Sequence, residues 1–321
     1  MPRRIPSAVA LAVLLVAAAA AIAGSLFVGP TPWEQVTDTI AMKIRLPRAC
    51  LAFVTGAALG AAGVVFQGLF RNPLADPFVT GVSGGAALGA VVAIVTGLSG
   101  TILGLTPVTL CAFAGSLGAV FIVHRLARVR GRVPVTTLLL AGFALGSLSG
   151  ALVSVLLLYH TRNWNEILQW LMGTLSDARW IKVQIAVPFI AISIAVMARH
   201  ARALNVMLLG DEPAQQLGVD VERTKLILMI AGSVATAAAV SMVGIVGFVG
   251  LIIPHIVRQL VGPDHRALLP ATVLAGGTFL VAADIVSRAL FPPAGLPIGA
   301  VTALCGAPFF LWLLRQRGLR V

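Results

Sequence analysis

Charged side chains are scarce in this sequence. Asp, Glu, Lys and Arg together supply 11% of the 321 residues, too few to clothe the surface of a soluble protein of this length. Cysteine is scarcer still. Cys50, Cys111 and Cys305 all fall inside apolar runs, in odd number and at no metal-ligand spacing. That excludes a disulfide framework and a zinc module, and leaves them as small packing residues that say little about redox compartment. Lysine occurs at Lys43, Lys182 and Lys225, and none of these closes a GxxxxGK[ST] phosphate loop, so no nucleotide site of that kind is present. Also missing are a catalytic carboxylate pair, a nucleophile beside a general base, and a His/Cys/Asp/Glu cluster at metal spacing. These absences argue against an enzyme, and neither a metal nor a cofactor is expected on this chain.

What the sequence does hold is apolar material in long blocks. Hydrophobic residues make up 59% and the mean hydropathy is +1.00. About 20 apolar residues cross a ~30 Å hydrocarbon core as a helix, and these runs do not alternate as barrel strands would. The expectation is an all-α polytopic membrane protein, one transmembrane domain over 1–321. Ten spans are read at 7–28, 48–70, 79–97, 105–123, 135–158, 181–198, 226–247, 249–261, 270–290 and 298–314. Residues 164–178 suggest an extra short helix. At the N-terminus, Pro2-Arg3-Arg4 before Ala8–Ala23 resembles a secretory signal, and Ala21-Ile22-Ala23 mimics a cleavage site. The uncharged stretch from Ile5 to Trp33 is nevertheless long enough to span, which favours an uncleaved first helix.

The net charge of +12 suggests nucleic acid at first sight. The basic residues, however, sit in short clusters between apolar blocks, which is the pattern of topology signals, and no nucleic-acid partner is expected. With alternating spans and a cytoplasmic N-terminus, the inside holds Arg3, Arg4, Arg71, Arg125, Arg128, Arg130, Arg132, Arg199, Arg202, Arg223, Lys225, Arg258, Arg266, Arg315, Arg317 and Arg320. The outside holds Lys43, Arg45, Arg48, Arg162, Arg179, Lys182 and Arg288. The asymmetry places both termini in the cytoplasm.

Small residues recur at four-residue spacing: Gly56 and Gly60; Gly81, Gly85 and Gly89; Gly142, Gly146 and Gly150. Such faces let helix backbones approach closely, so they predict a compact bundle. A faint internal echo links Phe66-Gln67-Gly68-Leu69 with Phe248-Val249-Gly250-Leu251, as a transporter of two related halves would show.

Five segments carry more. Leu204 to Arg223 is the longest polar break on the inner side. Asp211 and Glu212 precede Pro213, and Gly218 follows Leu217, so an acidic cap, an early proline and a terminal glycine predict a short extramembrane helix. A strongly specified loop of this kind suits docking of a cytoplasmic partner. Arg71-Asn72-Pro73-Leu74-Ala75-Asp76-Pro77 breaks the chain with two prolines; Asn72 is suited to bonding freed backbone groups, and Asp76 to pairing with Arg71. Gly244 to Arg258 suggests a tight reversal between packed helices, with His255 structural because no second ligand lies at metal spacing. Asp284 and Arg288, four apart, share a helix face and are expected to pair. Tyr159, His160, Arg162 and Trp164 read as interfacial aromatics and a solvated loop.

At this point the sequence resembles a known family. IRLPRACLAFVTGAALGAAGVVFQGLFRNPLADPFVTGVSGGAALGA is similar to the signature of the FecCD-type permeases, membrane subunits of ABC importers for ferric siderophores, haem and cobalamin. WLMGTLSDARW, LNVMLLGDEPAQQLGV, GFVGLIIPHIVR, GPDHRALLP and LPIGAVTALCGAPFFLWLLR resemble further blocks, in family order, from about Ile44 to Arg315. The resemblance implies a type II ABC importer permease fold with ten helices, in a homodimer around a central path in the bacterial inner membrane. It implies two ATPase subunits, which hold the ATP and Mg, and a periplasmic or lipid-anchored binding protein. It assigns ATPase coupling to Leu209, Gly210, Asp211, Glu212, Pro213, Ala214, Gln215, Gln216, Leu217 and Gly218. It assigns binding-protein docking to Arg45, Arg48 and Arg288, facing outward. It places Asn72 and Leu74 at one cytoplasmic gate and Val135 and Thr136 at another, where valine departs from the small polar residue expected.

The function this implies is import of an iron(III) chelate, siderophore or haem, by ATP-driven alternating access, with cobalamin as the alternative cargo. A membrane enzyme would need an interfacial cluster of polar catalytic residues. An ion-coupled transporter would need intramembrane acids beyond Asp284. The sequence offers neither.

Overall fold

A computed structural model describes residues 6–29, 36–128, 133–290 and 295–318. Arg3, Arg4, Trp33, Arg130, Arg132 and Arg320 lie outside the described residues. The chain runs α1 (Ser7–Phe27), α2 (Asp38–Ile40), a π-helical stretch (Ala41–Arg45), α3 (Leu46–Leu69), α4 (Val82–Val95), α5 (Pro107–Ala127), α6 (Val135–Tyr159), α7 (Trp164–Leu171) and α8 (Trp180–Arg199). It continues through α9 (Ala201–Met207), α10 (Asp211–Gln216), α11 (Val221–Val243), α12 (Val249–Val261), α13 (His265–Leu290) and α14 (Ile298–Gly318). Among the described residues seven helices are long and apolar enough to cross a membrane, and α4, α12 and Ile298–Leu313 of α14 are shorter apolar helices. The ten apolar segments of the sequence are therefore helices, and α7 is the extra short one.

α3 is the axis of the bundle. It runs on unbroken from α2 as one helix, Asp38–Leu69, and 83% of its membrane stretch is buried, against 17–33% for α1, α5, α6 and α8 at the rim. Its neighbours are α13, α11, α12 and α8. Small residues make this possible: a Cβ on Gly56 would collide with the Gly276 carbonyl of α13, and one on Gly63 with the Gly250 carbonyl of α12. Without a hydrophobic drive between helices in lipid, such close approach supplies the dispersion contact that holds them.

Several boundaries differ from the sequence reading, each for a local reason. The second span begins at Asp38 rather than 48. Pro47 has no N–H to donate, so the helix widens into a π turn in which Leu46 N–H reaches Ala41 O. In that register Met42 O is left free, and Trp180 Nε1–H donates to it at 2.8 Å. The third span is split, with a 3-10 turn at Pro77–Thr80 before α4. The seventh and ninth begin earlier, at Val221 and His265, because Asp220 caps Arg223 N–H at 3.1 Å and Pro270 sits inside α13 rather than opening it. α1 packs on α13 and α3 as part of the bundle.

Candidate functional site

The polar break after α8 folds as α9, then α10. Gly210, at φ 128°, supplies a backbone conformation that few other residues adopt, and Gly218 at φ 81° closes the far end. Ala214 is buried, whereas Leu209 and Leu217 stand 68% and 65% exposed at either end of α10. The expected acidic cap is absent: no side chain caps α10. Asp211 is engaged elsewhere. Its Oδ1 pairs with Arg71 Nη2, and its Oδ2 with Lys225 Nζ at 2.5 Å.

That pairing corrects the expectation for Arg71. Asp76 does not hold it; Asp76 Oδ1 accepts from Phe78 N–H at 2.8 Å and so caps the 3-10 turn. Burial pushes the Asp76 carboxyl up to about 6, against the opposing pull of that backbone bond. Asn72 Oδ1 accepts from Leu74 N–H at 3.0 Å, as the sequence suggested. The Arg71–Asp76 loop is thus tied to α10 and α11 through one carboxylate. Val135 of α6 lines a small gap with Leu69, Phe70 and Lys225, which brings the start of α6 beside the same loop, while Thr136 is exposed. Above the loop opens a cavity of about 680 Å³ whose wall includes Asp76, Ser83, Gly142, Ser147 and Phe248.

A second polar clasp holds α9. Asn205 Nδ2–H donates to Asp264 Oδ1 at 2.6 Å, and Asn205 Oδ1 accepts from His265 N–H at 2.9 Å. Asp264 also caps Arg266 N–H at 2.9 Å, and these bonds hold its carboxyl below the usual carboxylate range. Buried Gln67 does similar work at the end of α3. Its amide donates to Gly250 O and Leu251 O (3.4 and 3.1 Å), while Arg258 Nη2 donates to its Oε1 at 2.9 Å. Pro254 cannot donate back to Gly250 O, so Gln67 serves a carbonyl that α12 leaves vacant. The two echo segments therefore touch. Sequence reasoning missed Gln67 and Asn205; a lone amide at the end of an apolar run was the signal for Gln67.

At the opposite end of the bundle, Asp284 is 1% exposed and is met by two cations. Arg48 lies at 2.8 Å and Arg288, four residues on, at 3.0 Å. Arg288 further donates to Ser25 O and Val28 O, and Arg45 donates to Leu26 O at 2.5 Å, so both hold the end of α1. Arg45 and Arg288 are turned inward, at 5% and 8% exposure, whereas the Arg48 side chain keeps 22%. Nearby, Asp177 pairs with Arg179 (2.7 Å) and Lys182 (3.2 Å). His255 packs edge-on against Phe309. Tyr159 and Trp164 are exposed at the ends of α6 and α7. Among the described residues no three His, Cys, Asp or Glu are grouped to hold a metal.

The described residues thus form a bundle of ten apolar helices with a pinned loop at one end. The chain belongs to the FecCD transport family, whose model matches residues 7–316. It is 50% identical over 286 residues to the cobalamin import system permease protein BtuC of Halobacterium salinarum, covering 89% of this chain and 76% of that one. It is 42% identical over 297 residues to the hemin transport system permease protein HmuU of Yersinia pestis, covering 90% and 89%. A solved structure described as a metal-chelate type ABC transporter in an inward-facing conformation superposes with a TM-score of 0.86 at 33% identity, covering 96% of this chain and 99% of that one. The chain is accordingly a multi-pass permease subunit of an ABC importer.

Proposed function

We propose that this permease imports a metal chelate by alternating access in the inner membrane, as a homodimer with two ATPase subunits and a separate binding protein. The observation that carries the mechanism is the Arg71–Asp211–Lys225 grip. Residues 209–218 seat in the ATPase, Leu209 and Leu217 supplying apolar contact. When the ATPase dimer closes, Asp211 draws on Arg71, and the loop carrying Asn72 and Leu74 moves against the start of α6 at Val135 and Thr136. The path then opens to one side at a time. On the other face Arg48 is the arginine best placed to meet an acidic side chain of the binding protein, with Arg45 and Arg288 holding α1 beneath it.

For cargo, the 50% identity to a cobalamin permease favours cobalamin. A ferric chelate, siderophore or haem, is the second reading, favoured by the 42% identity to a hemin permease. Reconstitution with the ATPase and binding protein tests both points. Cyanocobalamin, haemin and ferrichrome are each offered, and the cargo that stimulates ATP hydrolysis and accumulates in vesicles is the substrate. Asp211→Asn is expected to keep the ATPase bound and hydrolysing while uptake per ATP falls at least about tenfold. Unaltered uptake in that variant would sink the proposed linkage.

A further inference from the structure

A second cavity, of about 510 Å³, lies between the end of α8 and the start of α13. Its rim carries Arg199, Arg202 and Arg266; its walls include Ile194, Ala198 and Leu269. All three arginines are exposed. Some other cations at this end have side-chain partners: Arg71 and Lys225 share Asp211, and Arg258 binds Gln67. Among the described residues Arg199, Arg202 and Arg266 form no ion pair. The nearest acid in sequence, Asp264, is held by Asn205 and by the turn it caps, and its charge acts on Arg266 without a direct ion pair. Three positive charges thus border one groove against the single carboxylate of Asp264, a cationic surplus that attracts an external anion.

The walls specify which anion. Ile194 lies five residues into α8 from Arg199, about 7.5 Å along the helix, and Leu269 three residues into α13 from Arg266, about 4.5 Å. The groove therefore passes from a basic rim to an apolar floor in the direction of the spans, and it has far more room than a free phosphate takes. We infer that this groove binds one anionic phospholipid of the adjoining leaflet, its phosphate among the three arginines and its first methylenes along Ile194 and Leu269. The site stands apart from the grip on Asp211 and does not depend on the cargo.

The test uses the purified full chain in detergent, titrated with dioleoylphosphatidylglycerol, dioleoylphosphatidylcholine or inorganic phosphate. Binding is read from the thermal midpoint and by mass spectrometry of retained lipid. Phosphatidylglycerol should raise the midpoint and be retained, the other two not. Each of Arg199→Gln, Arg202→Gln and Arg266→Gln should weaken it about fivefold. Ala198→Phe fills the groove with every charge in place and should abolish binding, which keeps the question open to decision if an arginine variant fails to fold. A matched loss of one charge elsewhere, each of Arg125→Gln, Arg128→Gln and Arg223→Gln singly, should leave it unchanged. The inference is overturned if phosphatidylcholine or phosphate acts equally, if Ala198→Phe binds as the parent does, or if the matched control weakens binding as much as the groove variants.

Discussion

Asp284 is the side chain on which most charge converges at the outer end of the bundle. With 1% exposure and a cation on either side, its removal leaves Arg288 buried without a counter-charge. Asp284→Asn should cost about 3 kcal/mol of stability, and Asp284→Asn/Arg288→Met should recover part of it, because the buried pair is more expensive to break than to replace. Thermal size-exclusion of the purified variants measures both. Docking should divide the three arginines: Arg48→Gln should weaken binding-protein affinity about tenfold in a surface-binding assay, whereas Arg45→Gln and Arg288→Gln should act mainly on stability, since their guanidinium groups serve backbone carbonyls. Asp76 makes a prediction with a sign. Its folded carboxyl titrates at about 6, above the usual 3.8. The stability it contributes is therefore full below about 3.8 and is lost as pH rises through about 6. Asp76→Asn keeps an acceptor for Phe78 N–H and should stabilise the chain on the order of 1–2 kcal/mol at pH 7.5, a gain that fades as the pH is lowered toward 4. Legibility at this scale followed distance along the chain. Asp284–Arg288 was readable because helical geometry fixes a four-residue spacing. Arg48, 236 residues away from Asp284, was not. Arg71 was assigned to Asp76, the near acid, but its partner lies 140 residues on.

Helices were read well where hydrophobic length decided them and poorly where a proline or a cap did. All ten apolar segments are present, yet Pro47 lies within a continuous helix because a π turn and Trp180 absorb its missing bond, and no composition rule foresees that. Glycine periodicity marked close packing correctly in part. Gly56 and Gly85 abut neighbouring backbones, while a Cβ added to Gly146 or Gly150 of α6 would meet nothing within 4 Å in the single chain. The same motif should therefore give opposite mutational results. Gly56→Ala should destabilise by roughly 2–3 kcal/mol or prevent accumulation, and Gly150→Ala should be near neutral; expression and thermal melts of the two variants compare them directly. α6 also presents Leu140, Phe143 and Leu158 at 69%, 76% and 72% exposure, an apolar outer face of the bundle rim.

For the whole molecule, composition sufficed for the membrane and ordered motifs for the family, since both are carried by the chain as a string. Cargo was not legible, because the cavity above the Arg71–Asp76 loop, walled mostly by Gly, Ser and apolar side chains, offers few groups that name a ligand. The charge asymmetry and an even number of spans predict that cysteines placed at Ser7 and Arg315 react with a membrane-impermeant maleimide only from the cytoplasmic side; opposite labelling of the two ends would refute the proposed orientation. α3 adds a mechanical point. It begins beside Arg45 and Arg48, ends at the loop that Asp211 grips, and is enclosed along most of its length. About 32 Å of helix separates Arg48 from Leu69, close to the thickness of the hydrocarbon core. So sheathed, the helix is expected to slide or turn as a unit. Under the proposed function it would serve as a push rod, carrying word of a docked binding protein to the ATPase side through one stiff part rather than through a chain of side-chain relays.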